Sequence, residues 1–274
     1  MGLFGKLFEK KECAICGGEI GLLGNRKLED GNMCKACAAK LSPWFDERRH
    51  STVAQIEEQL EYRESNKENV AAFRTTLSLG ETAKVLLDEY VGRFMVTSAR
   101  NYSEANPDVL ELSDITGCTY DIDEGIDEVT RFDENNEAVS YDPPRFTHSY
   151  NFYVTVYVNN PYFDDMRLKV NSRTVEVEER RGPAVSANPG SINLVIGSLS
   201  GAETFNPEAS VEYCTYRDLC ERIVATLLEN RQSAREEIAA AAAPKAAVAC
   251  PYCGATTTPT TTNCCEFCGG ALGD

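Results

Sequence analysis

Cys13-Ala14-Ile15-Cys16-Gly17 with Cys34-Lys35-Ala36-Cys37, and Cys250-Pro251-Tyr252-Cys253-Gly254 with Cys265-Glu266-Phe267-Cys268-Gly269, decide the reading of this 274-residue sequence. Each Cys-x-x-Cys pair puts two thiolates on one tight turn, and two pairs joined by a returning chain complete a tetrahedral four-sulfur site. The returning segments are residues 17–33 and 254–264, 17 and 11 residues long. Both are long enough. Gly17, Gly254 and Gly269 follow the second cysteine of three pairs, where a knuckle turn takes positive φ and aims backbone N–H groups at sulfur. Cys37 is followed instead by Ala38-Ala39-Lys40-Leu41, which predicts ligands at the first turn of a helix. The first module therefore reads as a treble clef and the second as a zinc ribbon with two knuckles.

The expected metal ligands are Cys13, Cys16, Cys34, Cys37, Cys250, Cys253, Cys265 and Cys268, holding two structural Zn2+ ions per chain. Zinc is favoured over iron because the sites are closed and no redox-partner motif is visible, although rubredoxin-type iron uses the same knuckles. Disulfides are the competing reading, and they are rare in cytosolic chains. The opening Met1-Gly2-Leu3-Phe4-Gly5-Lys6-Leu7-Phe8 lacks the apolar core and cleavage site of a secretory signal, so a cytoplasmic location is expected. Cys118, Cys214 and Cys220 read as small buried thiols, and Cys264 as a spectator beside a ligand.

Outward from the cysteines, five segments are expected. Residues 1–50 form the first module, with Leu3, Phe4, Leu7 and Phe8 on one face of a short amphipathic start. Residues 51–72 form a connecting helix capped by Ser51 or Thr52, burying Val53, Ile56, Leu60 and Val70 and leaving Glu57, Glu58, Glu61, Arg63, Glu64 and Lys67 solvated. Residues 73–232 switch to a period of two. Strands are predicted over 73–79, 83–88, 93–98, 109–112, 115–121, 151–159, 167–170 and 173–177, followed by an amphipathic helix through Leu219, Ile223, Leu227 and Leu228. Many antiparallel strands before one helix predict a small barrel or curved sheet that the helix closes. Residues 233–249 are an Ala-rich arm and linker, and 250–274 the ribbon. The fold class expected is α+β.

Two resemblances bear on these segments. Residues 1–70, through Cys13-Ala14-Ile15-Cys16-Gly17, Gly21-Leu22-Leu23-Gly24, Asp30-Gly31, Cys34-Lys35-Ala36-Cys37 and Gln59-Leu60-Glu61-Tyr62-Arg63, resemble a bacterial family of N-terminal four-cysteine domains of unknown function. That resemblance implies metal ligation by Cys13, Cys16, Cys34 and Cys37 and no particular activity. The centre is similar to bacterial pleckstrin-homology-like domains through Val85-Leu86-Leu87-Asp88, Phe94-Met95-Val96 and Val109–Ile115. The acidic turn at Asp88-Glu89 has none of the basic residues of lipid-binding members, so phosphoinositide binding is not implied.

Charge and motifs narrow the function. The net charge is −16, with +2 on residues 1–50 and −14 on residues 71–230, where 27 acidic residues face 13 basic ones. Such a centre repels phosphate backbones. Apolar runs reach about six residues, far short of the roughly 18 that a membrane span requires. Asp121-x-Asp123-x-Gly125-x-Asp127 departs from a calcium loop at its glycine and terminal Glu positions and is expected as an acidic solvated loop. Gly197-Ser198-Leu199-Ser200-Gly201 has Leu where a nucleophile elbow needs Ser, and His148 is expected in a loop after Pro143-Pro144. No catalytic residue, small-molecule substrate or enzyme activity is expected. The leading expectation is a zinc-binding scaffold or adaptor for a protein or peptide partner. Nucleic-acid binding through the ribbons is the alternative, weakened by their lack of Lys and Arg, and membrane contact through residues 1–12 comes third.

Overall fold

The computed structural model describes residues 11–179, 205–243, 247–260 and 262–272; the amphipathic start at Leu3–Phe8 and the Gly197–Gly201 motif lie outside them. The chain divides into two compact units, Met1–Arg231 and Gln232–Asp274. The fold is mixed α+β with antiparallel sheets.

The described part of the first unit opens with two minimal hairpins, β1 (Lys11–Glu12) with β2 (Glu19–Ile20) and β3 (Arg26–Lys27) with β4 (Asn32–Met33), followed by helix α1 (Lys35–Ala38). Strands this short have little sheet to stabilise them. The module's core is Cys13, Leu28, Met33, Cys37 and Leu41, completed by Ile56 from helix α2 (Val53–Ala72). Thr52 caps α2: its hydroxyl accepts from Gln55 N–H while the Gln55 side chain accepts from Thr52 N–H, a reciprocal capping box. Asp30 accepts from Val53 N–H at 2.8 Å, and a Cβ at Gly31 would come within 2.8 Å of Val53 Cγ2, so only glycine lets the β3–β4 turn lie against the helix start.

The buried stripe of α2 is Ile56, Gln59, Arg63, Asn66 and Val70, which corrects the expectation that Arg63 is solvated. Its Nη1 donates to Asp108 Oδ1 at 2.7 Å, with Asp108 fully buried, and its Nη2 donates to the Asn106 carbonyl. Ser42 of the first module donates to the other Asp108 oxygen at 2.8 Å, and Asn66 Nδ2 donates to the Pro107 carbonyl at 2.7 Å. Tyr162 adds a contact from another direction, with its hydroxyl on the Glu58 carbonyl and its ring against Tyr62 and Phe45. These bonds fasten the four-cysteine module to the β-rich centre through α2.

Among the described residues the centre holds eight strands. One four-stranded sheet runs in chain order, β5 (Leu77–Gly80), β6 (Lys84–Asp88), β7 (Arg93–Thr97) and, after helix α3 (Tyr102–Ala105), β8 (Val109–Glu111). Phe73, expected to open the first strand, caps the end of α2 instead and packs with Val70, Leu86, Met95 and Val109. The second sheet is built on β10 (Ala138–Asn160), which pairs β9 (Ile115–Phe132) on one side and β11 (Phe163–Lys169) and β12 (Val175–Glu178) on the other. The alternation in Phe152, Val154, Val156 and Val158 points one face of β10 inward, where all four are buried. No closed barrel forms among the described residues; the pairing is that of two separate sheets.

Helix α4 (Val211–Ala242) packs on this face through Tyr216, Cys220, Ile223 and Leu227, spaced to make one stripe. Ser210 caps it, its hydroxyl accepting from Tyr213 N–H at 3.3 Å. Phe152 meets the Tyr213 and Tyr216 rings at 5.2 and 5.8 Å, and Arg231 donates to the Thr116 carbonyl at 3.3 Å. Beyond Arg231 the helix is largely exposed.

Two further expectations are corrected here. Residues 121–127 are strand, not loop: Asp121, Asp123 and Asp127 lie within β9 opposite Tyr153, Asn151 and Thr147. Arg167 Nη2 stands 2.6 Å from Asp121 and 3.8 Å from Asp123, supplying the positive charge there. His148 likewise lies in β10, buried, opposite Ile126.

In the second unit the ribbon consists of the hairpin β13 (Val248–Ala249) with β14 (Thr256–Thr257) and a bridge between Cys264 and Ala271. Among the described residues no helix is long and apolar enough to cross a membrane.

Candidate metal centres

The first site is assembled from a knuckle and a helix start. Gly17 N–H donates to the Cys13 carbonyl at 2.8 Å and Cys13 N–H to the Gly18 carbonyl at 2.9 Å, a turn closed by Gly17 at φ 69°. Cys34 is the N-cap of α1, its Sγ accepting from Cys37 N–H at 3.3 Å, while Cys34 N–H donates to Cys13 Sγ at 3.3 Å. The expectation of ligands at the first turn of a helix matches this geometry.

The second site uses two knuckles of one design. Gly254 N–H donates to the Cys250 carbonyl at 2.9 Å, and Gly269 N–H to the Cys265 carbonyl at 2.8 Å, with φ of 73° and 70° at the two glycines. Gly270 allows the second knuckle to pass beside Tyr252, since a Cβ there would fall 2.5 Å from the ring.

In each set of four the Sγ atoms all lie within 4.8 Å of one another. Four sulfurs around a zinc at about 2.3 Å stand about 3.8 Å apart by tetrahedral geometry. Cys16 and Cys34 are 3.8 Å apart, Cys253 and Cys265 3.8 Å, and Cys250 and Cys268 3.5 Å. These separations fit a shared ion and are far beyond a bonded pair of about 2.05 Å. None of the eight cysteines is in a disulfide. The two sites are thus compatible with two structural zinc ions, one held by Cys13, Cys16, Cys34 and Cys37 and one by Cys250, Cys253, Cys265 and Cys268. A zinc bound by four thiolates supplies cross-linking and leaves no position for water or substrate.

Electrostatics favour the same use. Burial raises the Cys13 thiol, but N–H donors from Cys34, Cys16 and Ile15 outweigh it and bring its pKa down to about 6. Cys37 is pushed up to about 12 by burial and by its bonds to Cys34, Cys16 and Cys13. In the ribbon, Cys250 falls to about 6 as N–H donors from Cys253 and Tyr252 overcome burial, whereas Cys268 rises to about 12 despite the Gly270 N–H, because Cys250 and Cys253 crowd it. The opposed shifts of Cys13 and Cys37, and of Cys250 and Cys268, come from sulfurs crowded at one point, and a dication supplies the positive charge that stabilises thiolates there.

The remaining cysteines stand apart from both sets. Cys118 and Cys220 are buried, burial raising each thiol to about 12. Cys214 Sγ donates to the Glu208 carbonyl at 3.2 Å. Cys264 Sγ faces the Thr262 carbonyl at 3.4 Å and lies outside the four-sulfur set.

A polar cluster not foreseen from sequence surrounds Glu124. Its Oε1 accepts from the Tyr150 hydroxyl at 2.7 Å and lies 2.8 Å from His148 Nδ1. A carboxylate only accepts, so Nδ1 carries the proton. These bonds hold Glu124 below the usual carboxylate range, and the His148 ring stacks on Phe205 at 3.7 Å. The β9–β10 register, which sets Glu124 opposite Tyr150 and Ile126 opposite His148, assembles the cluster, and the sequence carries no local signal of it.

No curated protein and no solved structure matches the chain significantly. Residues 11–59, which carry the first four-cysteine site and the start of α2, match the family model described as Domain of unknown function (DUF4428).

Proposed function

We propose that the protein is a non-enzymatic zinc-binding scaffold whose β-rich centre receives a protein or peptide partner. The observation behind this reading is β9, which pairs only with β10 among the described residues and so offers its other edge beyond the part covered by α4. An open strand edge is a template for an added strand. Asp127 and Glu128 lie along it, with Ile126 and Phe132 exposed, and these suit an extended peptide of alternating basic and apolar residues. Strands in two antiparallel sheets followed by the packed helix α4 also support a pleckstrin-homology-like reading of the centre. Closed four-thiolate sites support the non-enzymatic assignment.

The test is affinity capture from native lysate with the intact chain and with Ile126→Lys/Thr130→Lys, which places charges along the edge. A partner retained by the first and lost by the second is expected; equal capture by both removes β9 as the docking edge.

A further inference from the structure

Gly21-Leu22-Leu23-Gly24 forms the turn between β2 and β3, closed by Gly24 N–H donating to the Gly21 carbonyl at 2.9 Å. A turn this tight gives its central side chains nothing to pack on, and Leu22 and Leu23 are 80% and 89% exposed. The module does not need them for folding, since its core is Cys13, Leu28, Met33, Cys37, Leu41 and Ile56. Behind the turn lie cations. The Arg26 guanidinium donates to the Leu23 and Asn25 carbonyls at 3.4 and 3.2 Å, and Arg48 donates to the Lys27 carbonyl at 2.7 Å. Arg49 and His50 line an open cleft with Lys27, Leu28 and Glu29. The Arg48 pKa is lowered by burial and then by the like charges of Arg49 and Arg26, which puts the three guanidinium groups within electrostatic reach of one another. No ion pair among the described residues neutralises Arg26, Lys27, Arg48 or Arg49.

We propose that this turn and the cations behind it dock the chain on an anionic lipid surface, with Leu22 and Leu23 entering the acyl boundary and Arg26, Lys27, Arg48 and Arg49 meeting the headgroup phosphates. The inference is independent of the partner-binding reading. A protruding aliphatic pair backed by positive charge is what an interface of apolar tails and anionic headgroups recognises. Nucleic acid is the poorer fit because leucine has no ring on which a base can stack. A protein partner is also poorer, because stable protein interfaces are broad and rich in aromatic residues, whereas this is a single turn tip. Charge complementarity sets the orientation: residues 71–230 carry −14 and are repelled by the surface that attracts the local patch of Arg26, Lys27, Arg48 and Arg49.

The experiment is flotation of the full chain with phosphatidylcholine vesicles containing about 30 mol% phosphatidylglycerol, against pure phosphatidylcholine, at about 150 mM salt. Binding to the anionic vesicles alone is expected. It should fall on the order of tenfold or more in Leu22→Ser/Leu23→Ser and on the order of tenfold in Lys27→Gln/Arg49→Gln. All four side chains are exposed, so both variants should keep wild-type metal content and melting transition, which are measured alongside. Absence of binding to anionic vesicles overturns the proposal. So does undiminished binding by the leucine variant, which assigns attachment to another segment. Displacement by millimolar inorganic phosphate overturns it in favour of a free-anion site, and preferential binding of a labelled oligonucleotide overturns it in favour of nucleic acid.

Discussion

Arg63 is the residue on which the joint between the first module and the centre depends. Its guanidinium meets Asp108 where neither side chain is more than 7% exposed, and it also donates to the Lys40 and Asn106 carbonyls. Removing one partner of a buried pair strands the other charge, at a cost of about 3–5 kcal/mol. Arg63→Met should therefore lower the urea midpoint sharply while Lys67→Met, whose partner Glu64 is exposed, should change it little. A small effect of Arg63→Met would show that water reaches Asp108. Glu124 carries the pH-dependent contribution. Its pKa is depressed in the folded chain by hydrogen bonds from His148 and Tyr150, so the stability it contributes is present above the ordinary carboxylate value and lost as pH falls through the depressed one. Glu124→Gln should lose about 1 kcal/mol at neutral pH, since the carboxylate is partly solvent-exposed, and the gap to wild type should close in acid. Thermal melts of both proteins across pH read this directly, and a gap that widens in acid would refute it. The eight cysteines could be read from sequence because their chemistry is local, each pair closing within one turn. Arg63 and Glu124 could not, because their partners lie 45 and 24 residues away: packing of α2 against the segment before β8 brings Asp108 to Arg63, and the β9–β10 register brings His148 to Glu124.

At the scale of elements, the apolar alternation located all eight central strands and the α4 stripe, because burial of one face is what that periodicity reports. It stopped short where burial stops. Residues 121–132 and 138–147 extend β9 and β10 into a ribbon whose side chains are mostly exposed, so Asp121–Asp127 carry no apolar alternation, and His148 is a buried polar residue that apolar alternation does not report. Pairing between the two strands holds that ribbon, and pairing leaves no mark in hydropathy. The two metal modules differ in the same terms. The first shares its core with α2, whereas the ribbon's buried apolar cluster is Cys250, Cys265 and Leu272, nearly all ligand. Without metal such a ribbon has nothing to fold around. Cys253→Ser should therefore abolish the ribbon's slowly exchanging amides while leaving the main melting transition of the first unit within about 1 °C, given the unit boundary at Arg231–Gln232. Hydrogen exchange and calorimetry measure the two parts, and a large drop in the main transition would show that the ribbon supports the first unit.

The whole molecule is acidic, and its charge is unevenly distributed: −14 on residues 71–230 against +2 on residues 1–50. Generic nucleic-acid binding comes mainly from cations that neutralise phosphates, so fluorescence anisotropy with labelled duplex and single strands should detect no appreciable affinity at about 150 mM salt. Submicromolar binding that weakens steeply with added salt would overturn the scaffold reading. The central claim is that two separate four-thiolate sets, each within 4.8 Å, hold one structural zinc apiece. Each set already brings four sulfurs together, a complete tetrahedral shell, so each takes its own ion. Metal content of freshly purified anaerobic protein by plasma mass spectrometry tests this most directly. The account predicts zinc at about two per chain, falling to about one in Cys253→Ser; a value near one or zero in the wild-type chain, or iron in place of zinc, would contradict it.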